Sequence, residues 1–80
     1  MSEIFETYET SDIVLAACLG LEGNDLIRIE KAGSKGIFIF GDVSEERIED
    51  YNLGKIRVEP VAFNNKIRQL TSSVRRVVGR

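Results

Sequence analysis

The sequence predicts a small α+β domain, an antiparallel sheet packed by three helices in the order β-α-β-β-α-(β)-α. Three observations carry that prediction. Phe63, Ile67, Leu70, Val74 and Val77 recur at steps of four, three, four and three, the spacing of a helix with one apolar side, which Val78 widens. Residues 26–31 and 37–40 are short runs rich in Ile and Phe, joined by a loop with two glycines, as in a β-hairpin. Small polar residues and glycines separate each apolar run from the next. A chain of 80 residues makes a single domain, 1–80, whose first three and last two residues are expected to fray.

Each element has a local reason. Ile4 to Tyr8 alternates weakly, and Phe5 and Tyr8 suit a short edge strand. Thr10 or Ser11 can cap the helix that follows, with Asp12 in its first turn near the positive end of the dipole. That helix, Ile13 to Leu19, is apolar all round, and Gly20 is its natural stop. Gly23-Asn24-Asp25 reads as a turn. In the strand after it, Ile27 and Ile29 share one face and Arg28 and Glu30 the other. Ile37 to Phe40 returns as a strand apolar on both faces. Asp42 or Ser44 caps an acidic helix from Glu45 to about Leu53, Asp42 and Glu45 having capping-box spacing, and Gly54 ends it. Lys55 to Val58 is a short extended piece. Pro60 opens the last helix at its first position, where a missing amide costs nothing, although Glu59 is a poorer cap than aspartate.

The charge is divided along the chain. Residues 1–50 carry twelve acidic and four basic side chains, whereas residues 51–80 carry one acidic and seven basic, for a net −2. The two halves can attract each other within one fold or between two copies, or the basic segment can meet a polyanion.

Composition excludes most chemistry. Without histidine there is no Ser-His or Cys-His nucleophile and no imidazole metal ligand. Cys18, the only cysteine, sits in an apolar run with no base to activate it. That run, Ile13 to Leu21, is far shorter than the roughly 20 residues a bilayer requires. It follows Glu3, Glu6 and Glu9, which is no signal-peptide start, so a cytoplasmic protein without membrane contact is expected. Asp42, Glu45, Glu46, Glu49 and Asp50 could in principle serve magnesium. However, Glu45 and Glu49 have the spacing of a solvated helix face and Asp42 has a role as a cap. The loop 32–36 lacks the G-x-x-x-x-G-K-[ST] pattern and joins strand to strand, so it reads as a hairpin turn rather than a phosphate loop. No catalytic residue, metal, cofactor or small-molecule substrate is expected.

What remains is surface. The all-apolar first helix, the two-faced strand and the long seam exceed what one small core needs, which predicts a homodimer or docking on another protein. Asn65, Arg68, Ser72, Arg75 and Arg76 share the face of the last helix opposite its seam, with Lys55, Arg57, Lys66 and Arg80 nearby in sequence. Arginine suits phosphates and guanine edges, and asparagine suits adenine, so nucleic acid is the alternative partner. No helix-turn-helix precedes this helix, and the pI of about 5.1 opposes nucleic acid. Glu45, Glu46, Glu49 and Asp50 form a second, acidic face.

Two clusters resemble a small family of bacterial and bacteriophage proteins of unknown function. Its start is matched by Thr10-Ser11-Asp12 with Leu15-Ala16-Ala17, and its end by Gly54-Lys55, Val58, Pro60 and Phe63, with Ile67 and Leu70 after them. Between them lies a hairpin of similar pattern, Ile27 to Gly33. The likeness covers residues 8–72, and Ser72 to Arg80 lies at or beyond the family's end. It implies a phage or mobile-element setting and no activity. The expected function is therefore a non-enzymatic, homodimeric protein-protein interaction module. The alternatives are a nucleic-acid-binding accessory or regulatory protein, and a phage-encoded inhibitor of a host defence enzyme whose acidic face mimics nucleic acid.

Overall fold

The computed structural model describes residues 3–79; residues 1, 2 and 80, in the ends expected to fray, lie outside the described residues. The elements are β1 (Ile4–Thr10), α1 (Ile13–Leu21), β2 (Leu26–Ala32), β3 (Lys35–Ser44), α2 (Glu45–Asn52) and α3 (Pro60–Val78). The sheet has the order β1-β3-β2, with β3 antiparallel to both neighbours. The α+β class with three helices is therefore the one the sequence predicts. The extended piece 55–58 joins no sheet, and the Lys55 amide donates instead to the Asp50 carbonyl. Ile56 and Val58 line an apolar pocket with Val14, Cys18, Tyr51 and Phe63, so this stretch lies against α1 and α3 rather than a sheet edge.

Local chemistry shapes the sheet. Ala32 pairs with Lys35, so the hairpin loop is only Gly33-Ser34. Gly33 has φ of 65° and Ser34 has no positive φ, which suits a tight two-residue turn with glycine first. A bulge between Leu26 and Arg28 corrects the expected alternation. Leu26 pairs with Phe40 and Ile29 with Phe38, and Ile29 packs on the core. Ile27 is left 48 % exposed on the other side, beside Gly41. A second irregularity lies at Asp42, whose φ of 54° is unusual for a side-chain-bearing residue. Asn24 Nδ2 donates to the carbonyls of Gly41 and Asp42 and holds the chain there. After this kink Val43 joins the core cluster of Phe38 and Phe40, which strict alternation would not allow. The expected Asp42–Glu45 capping box is absent for the same reason. Ser44 is the N-cap of α2, without a side-chain hydrogen bond.

The N-cap of α1 is Asp12, not Thr10 or Ser11. Asp12 Oδ1 accepts from the amides of Val14 and Leu15, while Thr10 Oγ1 accepts from the Asp12 amide. Gly20 does not stop α1, which runs through Leu21 to a C-cap at Glu22. Glu59 caps α3 by accepting from the Ala62 amide, with Pro60 in the first turn.

All three helices pack on one face of the sheet. Leu15, Ala16, Ala17 and Leu19 of α1 and Leu70 of α3 meet Phe38, Phe40 and Val43. Ile48 and Tyr51 of α2 and Phe63, Ile67 and Val74 of α3 complete the cluster. Five consecutive residues of α1, Leu15 to Leu19, are thus buried by the chain's own elements, which removes the first helix as a reason for a dimer. The thinnest dimension is 19 Å, the depth of one sheet and one helix layer. Ile39 on the open sheet face is only 1 % exposed although it is not part of the helix-side cluster. It lies in register between Glu9 and Arg28.

Candidate interaction faces

The seam residues at one side of α3 dictate what its other side presents. With Phe63, Ile67, Leu70 and Val74 turned to the core, Asn65, Arg68, Ser72, Arg75 and Arg76 are all exposed. The sequence-predicted face is therefore assembled as one stripe. Val61, four residues before Asn65, begins that stripe and is 66 % exposed. From Val61 to Arg76 the stripe runs about 22 Å at the helical rise. Lys66 is not part of it: its aliphatic stem crosses Gly20 of α1 and its amine donates to Gln69. Lys55 and Arg57 sit on the irregular connection before α3, and Arg80 lies outside the described residues.

Among the described residues no carboxylate pairs with the stripe's arginines. Among the described residues the ion pairs are Arg28–Glu30 at 2.7 Å and Arg47–Glu22 at 2.8 Å. Arg76 donates to Ser73 Oγ, and neither Arg68 nor Arg75 has a carboxylate partner. Of the readings that the charge division allows, ion pairing within the fold does not engage these three guanidinium groups among the described residues.

The acidic face is set by how α2 is fastened to α1. Arg47 reaches Glu22 at the C-cap of α1, and Tyr51 Oη donates to Asp12 Oδ2 at 2.8 Å at its N-cap. The two helices therefore run in opposite directions, and Arg47, Ile48 and Tyr51 face inward. Glu46 and Glu49 are exposed and Glu45 and Asp50 half-buried. Glu46, Glu49 or Asp50, and Leu53 fall three to four residues apart, and Leu53 is 66 % exposed. Each charged stripe thus carries one large apolar side chain at an end.

Asp12 is a structural hub that the sequence shows only as a cap. Its carboxylate serves two amides of α1 and the hydroxyl of Tyr51 at once. Burial first, then the hydrogen bond to Asp12 and the negative charge it brings, push the Tyr51 hydroxyl up to about 12. Burial, with Asp12 and Glu22 adding to it and Arg47 opposing, raises the thiol of the buried Cys18. That shift opposes formation of the reactive thiolate.

No group of three or more Cys, Asp or Glu among the described residues is placed to hold a metal ion. No described helix is long and apolar enough to cross a membrane. A groove of about 340 Å³ opens between the start of β3, the N-terminal end of α1 and the second half of α3. Sequence reading missed it, because its walls are distant in the chain.

The accessible surface is 5475 Å². A monomer of this mass ordinarily exposes about 4,850 Å², so this thin fold shows about 600 Å² more. No protein-family model, curated protein or solved structure matches this chain, so the resemblance rests on the residues quoted for it alone.

Proposed function

We propose that this chain is a non-enzymatic interaction module that pairs with a second copy of itself, the arginine stripe of α3 lying against the acidic stripe of α2. The observation that carries this reading is that Arg68, Arg75 and Arg76 are exposed and, among the described residues, without a carboxylate partner in a chain of net charge −2. A two-fold arrangement repeats the contact, so each copy gives one basic and one acidic surface. Exposed ion pairs contribute only about 0–1 kcal/mol each, so charge sets orientation more than affinity. Burial of Leu53 and Val61, each 66 % exposed, adds apolar contact at the stripe ends.

Charge reversal tests the pairing. Arg68→Glu/Arg75→Glu makes both stripes acidic, and Glu49→Lys/Asp50→Lys makes the acidic stripe basic. Each variant alone should be monomeric by sedimentation, and an equimolar mixture should restore a dimer. Variants that sediment as the wild type does would remove this interface.

A second reading has its own support. Asn65 and Ser72 place hydrogen-bonding groups among the arginines, an arrangement suited to nucleic acid. Binding through three phosphates would give a log-log salt slope of about −3. No binding of duplex or single-stranded oligonucleotides at low salt would eliminate it.

A further inference from the structure

The groove beside the hairpin turn has a composition at odds with the rest of the chain. Its polar lining residues are Lys35, Arg75, Ser11, Ser34 and Thr71, two cationic side chains and three that bear hydroxyls. Among the described residues no carboxylate lines it, although the chain has thirteen acidic side chains and eleven basic ones. Neither cation has an ion-pair partner among the described residues. The carboxylate closest in sequence, Asp12, is committed to Val14, Leu15 and Tyr51 and does not line the groove. Ile13, Phe38 and Val74 supply its apolar lining.

The fold brings these groups together for identifiable reasons. The two-residue turn at Gly33-Ser34 places Ser34 and Lys35 at the open end of the sheet. Gly36 lets α3 come close: a Cβ there would stand 3.0 Å from Val74 Cγ1. That approach sets Thr71 and Arg75, one turn apart on α3, over the hairpin. The sequence resembles a phosphate loop too little at 32–36 for the turn to act alone, and the second cation comes from forty residues away.

We propose that this groove binds a small phosphate monoester whose organic part is apolar or aromatic. Two cations and three hydroxyl donors suit a dianion with three acceptor oxygens better than a carboxylate with two. The apolar lining residues Ile13, Phe38 and Val74 offer contact to a ring or short alkyl group. A volume of about 340 Å³ lies at the small end of ligand sites, which argues for a compact ester. The groove shares Arg75 with the arginine stripe, whereas Lys35, Ser34, Ser11 and Thr71 lie outside it, so Lys35→Ala tests the groove without touching the stripe.

Amide chemical-shift titration at low salt with phenyl phosphate, inorganic phosphate, benzoate and phenol tests the proposal. Phenyl phosphate should give saturable shifts at Ser34, Lys35, Gly36, Thr71 and Val74. Inorganic phosphate and benzoate should bind the same amides at least several-fold more weakly, and phenol should not saturate. Lys35→Ala should weaken phenyl phosphate about tenfold or more, the loss of one charge-assisted contact, while leaving the sedimenting mass unchanged. Shifts spread over all basic residues, binding unaffected by Lys35→Ala, or equal binding of benzoate or inorganic phosphate would overturn it. No saturable shift with phenyl phosphate would do the same.

Discussion

Substituting Gly36 by alanine probes the closest approach in the fold. Gly36 is buried on β3, and an added Cβ would meet Val74 Cγ1 at 3.0 Å, Val74 Cγ2 at 3.2 Å and Ile29 Cγ2 at 3.4 Å. Both methyls of Val74 are involved, and valine has one strongly preferred rotamer in a helix, so rotating the side chain gives no relief. The helix itself must move. Overpacking of this kind costs about 1–3 kcal/mol. Alanine also restricts the unfolded chain, which returns about 0.4–1 kcal/mol because Gly36 has no positive φ. The expected net effect is a loss of about 1–2 kcal/mol, read as a lower urea midpoint at unchanged slope by circular dichroism. Val74→Ala removes the two opposing methyls, so Gly36→Ala made in that background should cost nothing or stabilise. A double-mutant cycle should give a favourable coupling of about 1–2 kcal/mol. Strict additivity, or a stabilising Gly36→Ala in the wild-type background, would refute the packing argument.

Other substitutions read the Asp12 hub and the cysteine. Asp12→Ala removes a helix cap worth about 1 kcal/mol and a hydrogen bond worth about 1 kcal/mol, so thermal unfolding should fall by about 8–16 °C. Asp12→Asn, which keeps a capping oxygen, should lose much less. The Tyr51 hydroxyl is raised to about 12 in the fold, so its contribution to stability is fully present below about pH 10 and is lost as pH rises from there through 12. Tyr51→Phe should lack that part of the alkaline loss, and identical alkaline profiles would contradict the assignment. Cys18, buried and with its thiol pushed up, should alkylate at pH 8 far more slowly in the native protein than in urea. Equal rates would show that α1 is not closed over it.

The parts of this fold legible in the sequence are those whose cause is local. The α3 seam needed only the spacing of Phe63, Ile67, Leu70 and Val74, and the exposed stripe followed from it by helical geometry. The hairpin was readable from Gly33 and the Ile- and Phe-rich runs around it. Features that depend on a partner far along the chain were not. The bulge that exchanges Leu26 for Ile27 on the core side is imposed by pairing with Phe40 and Ile39. The kink at Asp42 is held by Asn24, eighteen residues earlier, and it cancels a capping box that spacing alone suggested. The burial of α1 is not legible in the sequence, because α3 and the sheet together cover more of it than the chain length implies. The groove was invisible because Lys35 and Arg75 line one cavity only once α3 lies across β3.

Sedimentation equilibrium of the wild-type protein at micromolar concentration and low ionic strength addresses the central claim most directly. The account predicts twice the 9.0 kDa chain mass, shifting toward the single chain as salt is raised. A mass of 9.0 kDa at every concentration and salt level would contradict it.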